Sequence, residues 1–76
     1  MNFRQHQGRA HDLRSATHQL WNSDAFQEGI RNPWSVWRIV KGRPQDLVGA
    51  VESIEEAKRM AERDLAAHRE TWTGAA

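Results

Sequence analysis

Residues 34–40 read Trp-Ser-Val-Trp-Arg-Ile-Val. Aromatic and β-branched side chains fit a pleated, half-buried surface and lose rotamer freedom in a helix, so this run is expected as a strand. Pro33 stands before it, where a missing N–H does least harm. A side-chain period of two places Trp34, Val36, Arg38 and Val40 on one face, and Ser35, Trp37, Ile39 and Lys41 on the other. Both faces are partly apolar, so either the sheet is covered on both sides or one face is a contact surface.

The residues after this strand limit the fold further. Lys41-Gly42-Arg43-Pro44-Gln45-Asp46 has turn chemistry, and Leu47 to Val51 reads as a second strand, with Gly49 marking a bulge or a close backbone approach. Ser53-Ile54-Glu55-Glu56 is a capping box that opens a helix. Ile54, Ala57, Ala61, Leu65, His68 and Trp72 recur at three- and four-residue steps, with Met60 beside them and Arg59, Glu62, Arg63 and Asp64 mostly off the stripe. The helix is expected to end between Arg69 and Trp72, and Gly74 stops it at the latest.

Upstream, Ala10, Leu13, Ala16 or Thr17, Leu20 and Trp21 follow a helical period from Arg9. The expectation is an N-terminal helix over 9–21, a break at Asn22-Ser23-Asp24, and a single helical turn over 25–28 closed by Gly29. One helix over 9–28 is the alternative. Residues 1–8 and 73–76 are expected to be disordered. The expected fold class is therefore α+β: N-terminal helix, short helical turn, two-stranded antiparallel hairpin and C-terminal helix packed on the sheet.

The chain has 76 residues, 38% of them apolar, and forms one domain. A core this small rarely supplies more than about 3–5 kcal/mol. The absence of Cys removes disulfides and thiolate metal sites. Support is expected instead from the four Trp, at 21, 34, 37 and 72, and from a homodimer. No apolar run approaches the roughly 20 residues of a membrane span, and the N-terminus has no secretory h-region, so a cytoplasmic location is expected. Net charge is +1, but residues 1–44 carry +4 and residues 45–76 carry −3. That asymmetry either polarises the surface or cancels in space.

The chemistry-bearing residues form no enzyme signature. His11 and His18 fall about 10.5 Å apart along the expected helix, with Arg14 and Ser15 between them, which suits no shared metal ion. Ser15, Ser23, Ser35 and Ser53 lie in no nucleophile-elbow context, and Gly42 and Gly49 are isolated. No catalysis, metal or cofactor is expected. There remains the hairpin, where Trp34 and Trp37 interleave with Arg38, Lys41 and Arg43. Trp and Arg are enriched at binding hot spots, and Trp can also stack on bases beside cations. These five are the candidate binding residues.

The hairpin, its Gly-containing turn and the Ser-Ile-Glu-Glu-Ala-Lys helix start, over 34–69, resemble the hairpin-then-helix unit of AP2-like and phage-integrase arm-binding domains. They are also similar to small phage and bacterial accessory proteins. Those DNA binders carry a further strand before the hairpin, where helix and loop are expected here, and no site residue is carried over. The functional expectation is a non-catalytic protein-binding module: a dimeric regulator, or an inhibitor of the mobile-element kind that includes anti-CRISPR proteins. Nucleic-acid binding by the hairpin is the alternative.

Overall fold

The computed structural model describes residues 2–6, 11–23 and 29–68. They form a five-stranded antiparallel sheet and one helix: β1 (Arg4–Gln5), β2 (Asp12–Arg14), β3 (His18–Asn22), β4 (Trp34–Val40), β5 (Arg43–Val51) and α1 (Ile54–Ala67). The strands run in sequence order across the sheet, so each pairs with its chain neighbour.

The expected two-stranded hairpin with an N-terminal helix is thereby corrected. Residues 12–14 and 18–22 are strands, and residues 4–5, expected to fray, pair with β2. The apolar spacing that suggested a helix also fits a hairpin, because Leu13 pairs with Leu20 and Asp12 with Trp21 about a tight turn. Ser15 favours the hairpin. Its hydroxyl accepts from the N–H groups of Thr17 and His18, at 3.3 and 3.0 Å, and its own N–H donates to the His18 carbonyl at 2.8 Å. Such local side-chain bonds compete with helical ones. The expected helical turn over 25–28 lies outside the described residues, as does Trp72.

The β4–β5 connection is shorter than expected. Lys41 and Gly42 form a two-residue turn with φ of +53° and +79°, the positive values that match the right-handed twist of a hairpin. β5 therefore begins at Arg43 and takes in Pro44, which an edge strand tolerates. Against β4 it carries an extra residue at Val48 and another at Gln45, irregularities that blunt an exposed edge.

α1 covers one face. Leu20, Val36, Ala57 and Ala61 form the buried core, with Phe3, Leu13, Trp34, Val48, Val51 and Met60 packed around it. Gly49 permits the helix to come close: a Cβ there would stand 3.0 Å from the Met60 sulfur. The helix starts as expected, with Ser53 as N-cap accepting from the Glu56 N–H at 3.2 Å. It ends at Ala67, with His68 as C-cap, earlier than expected.

Because the Ser53 hydroxyl satisfies one of the orphan donors of the first turn, Ser53→Ala is expected to cost about 0.5–2 kcal/mol. Urea melts of the two proteins check this; coincident curves would show that the hydroxyl does not cap.

Candidate functional site

Two constellations stand out, one on each face of the sheet. Under the helix, Asp64 is buried on α1 and meets two side chains of the sheet that are themselves cross-strand partners, His18 on β3 and Arg38 on β4. Arg38 donates twice, Nε to Oδ2 at 2.8 Å and Nη2 to Oδ1 at 2.6 Å. His18 Nε2 donates to the same Oδ2 at 2.9 Å. His18 Nδ1 is 2.9 Å from the Thr17 hydroxyl, so in the neutral ring Nδ1 accepts from Thr17 while Nε2 keeps its proton for Asp64. His68, one helical turn on, brings Nε2 to 3.6 Å from Oδ1.

The electrostatics are set by this packing. Asp64 is held below the usual carboxylate range chiefly by the two Arg38 bonds, with His18 adding to them against burial. His18 is shifted down mainly because burial penalises the imidazolium. Arg38 adds repulsion, and Asp64 offsets these only in part. Arg38 holds its proton more firmly than usual because of its bonds to Asp64. The arrangement looks like a catalytic His–Asp pair, but His18 is wholly buried and no substrate can reach it. Its job is to seat α1 on the sheet.

Among the described residues no helix lies on the opposite face. Gln19, Trp21, Ser23, Ser35, Trp37, Pro44, Leu47 and Ala50 line a hollow of about 550 Å³ there. Leu47 is 56% exposed. The Trp37 indole N–H donates to Ser35 at 3.0 Å, and Trp21 meets the His11 ring edge to face at 5.2 Å between centroids. Both indoles are therefore held in place while offering apolar surface.

The five candidate binding residues are thus divided. Trp37 lines the hollow. Trp34 points the other way and packs against the core. Arg38 is committed to Asp64 on the helix side. Lys41 and Arg43 are exposed at and beside the β4–β5 turn. Trp21 and Leu47 join the surface although the sequence did not single them out. Trp21 lay on a presumed helix, and Leu47 was read only as the start of the second strand. Asp64 and His18 were also missed. The available signal was spacing: Asp64 follows Ala57 by seven residues and Ala61 by three, so it shares their buried face.

Among the described residues no group of three or more His, Cys, Asp or Glu could hold a metal ion, and no helix is long and apolar enough to cross a membrane. No protein-family model matches the chain, and no curated protein or solved structure matches it either.

Removing the shared carboxylate takes the acceptor from buried His18 and from partly buried Arg38. Asp64→Ala is expected to cost about 2–4 kcal/mol, because buried His18 loses its acceptor while water reaches part of the Arg38 guanidinium. That is close to the whole stability of a small domain, so circular dichroism should show a largely unfolded chain.

The pH dependence has a definite sign. His18 binds its proton more weakly folded than unfolded, so its contribution is complete above its ordinary value of 6.5 and declines as pH falls below that. Asp64 is also depressed, so its contribution is complete above 3.8 and is lost as pH falls through its lowered value. Melting temperature is expected to drop in two stages on acidification. His18→Gln should remove the upper stage, and an unchanged profile between pH 5 and 7 would refute the assignment.

Proposed function

We propose that this chain is a non-catalytic protein-binding module that receives its partner on the uncovered face of the sheet. The observation that carries this reading is the hollow between Trp21, Trp37, Pro44, Leu47 and Ala50. Its walls are aromatic and aliphatic, which suits an apolar side chain more than a row of stacked bases. The Trp37 N–H is already used by Ser35, so the ring contributes contact area rather than hydrogen-bond readout. Trp anchors of this kind dominate interface energies, while the contacts around them exclude water. The sealed His18–Asp64 pair supports a non-catalytic role, because it is the feature most like acid–base machinery and it has no access. Such a module acts by occupying a partner's surface, as a regulator or an inhibitor does.

The test compares wild type with Trp37→Ala. Wild-type protein immobilised as a full chain is expected to retain a protein partner that survives nuclease treatment. Trp37→Ala should lose it while melting within a few degrees of wild type. Retention by both proteins, or loss of the partner on nuclease treatment, would overturn the reading, and an unfolded variant would show Trp37 to be a core residue.

A further inference from the structure

The charge on the uncovered face narrows the chemistry of that partner. Strand alternation and the pairing register assign the residues of this face. Arg4 pairs with Arg14, Arg14 with Gln19, and Asp12 with Trp21, and Gln19 and Trp21 line the hollow. Arg4 and Arg14 are therefore opposite each other on this side, an arrangement of like charges that costs stability. Among the described residues neither guanidinium forms an ion pair with a carboxylate. Arg14 instead donates to the Gly42 carbonyl at 2.6 Å, which brings it to the turn that carries exposed Lys41.

Among the described residues, carboxylates are nearly missing from this side. Within the strands it holds only Asp12, which is 1% exposed and accepts from Gln19. Asp46 pairs with Arg38, so it belongs to the helix side. Glu55, Glu56 and Glu62 are exposed on α1, which packs on the covered face. Glu52 lies past the end of β5, at the end of the hollow away from the Lys41–Gly42 turn. Thus the hollow has a cationic rim at one end, made by Arg4, Arg14 and Lys41, and an acid beyond the other.

Lys41 adds an independent observation. It sits at φ +53°, where an L side chain is strained and where Asn or Gly is preferred before Gly42. The turn therefore keeps a lysine against its own conformational preference, as residues at binding sites often do.

From this complementarity we infer that the partner presents an acidic–apolar segment: an aliphatic or aromatic side chain seated against Trp37 and Leu47, with carboxylates at the Arg4–Arg14–Lys41 rim. This rests on the protein-binding reading above and specifies its partner. A second copy of this chain fits less well, because its exposed carboxylates Glu55, Glu56 and Glu62 lie on α1, away from the faces that would be stacked. A single-stranded nucleic acid would meet the rim but leave the aliphatic wall of Pro44, Leu47 and Ala50 without planar partners.

The experiment selects binders from a random peptide library displayed against the full chain. Selected peptides are expected to carry Asp or Glu next to a large apolar residue. Their affinity should fall with rising salt and by roughly two- to thirtyfold in the Arg4→Gln/Arg14→Gln double variant. Lys41→Asn should weaken them too while raising the melting temperature, which separates loss of binding from loss of fold. Trp37→Ala should abolish binding of every selected peptide. Neutral or basic peptides that need Trp37 would overturn the acidic assignment and leave the protein-binding reading standing. Peptides indifferent to Trp37, or none at all, would overturn both. Displacement of the peptides by oligothymidylate at matched concentration would point to nucleic acid, and Trp37-dependent self-association in sedimentation would make the occupant a second copy; either overturns the inference.

Discussion

Asp64 is the residue on which the rest of the structure depends. The buried residues of the helix are Ala57, Ala61 and Asp64, with Met60 partly buried beside them, so it sets two methyl groups, a thioether and a carboxylate on the sheet. The small residues allow close approach but specify little, because alanines slide past one another at low cost. The carboxylate specifies a great deal. It must receive Arg38 from β4 and His18 from β3 together, and a shifted helix would leave a buried charge unpaired. Desolvation offsets much of the attraction in a buried ion pair, so its main contribution is to select one geometry over its alternatives. Thr17 completes the arrangement by accounting for the second nitrogen of His18.

Seating the helix this way has a consequence on the other side of the sheet. A single helix covers a single face, and the chain contributes no second helix among its described residues to cover the other. Trp21, Trp37 and Leu47 then form a surface in place of a core. Antiparallel sheets tolerate one solvated face, but usually with polar residues on it. Here that face is aromatic and aliphatic in its hollow and cationic at its rim. The charge asymmetry between the two halves of the sequence cancels on the helix, where exposed Glu55, Glu56 and Glu62 are matched by exposed Lys58, Arg59 and Arg63, while Arg4 and Arg14 stand together on the other side of the sheet.

The edges are treated differently from the face. β5 is an outer strand, but Pro44 and the extra residues at Gln45 and Val48 break the regular ladder that another strand would need. Sideways addition of a strand is therefore disfavoured where docking onto the face is open. This protects a small sheet from edge-to-edge aggregation.

The sequence by itself determined the elements whose causes are local. The Ser53 cap, the alternation of 34–40, the positive-φ glycine after Lys41 and the special position of Gly49 all act within a few residues or through one backbone preference, and each is found in the structure. Tertiary structure decided the rest. Leu13 and Leu20 fit two helical turns as well as a hairpin, and only the partner strands β1 and β4 on either side resolve that ambiguity. Asp64 reads as a solvated helix residue until His18, 46 positions away, and Arg38, 26 positions away, arrive to satisfy it. The division of Trp34 from Trp37 was visible as alternation, but which of the two faces water depends on where the helix lands. A carboxylate with partners that distant in the chain sets that landing, and no window of sequence contains them all.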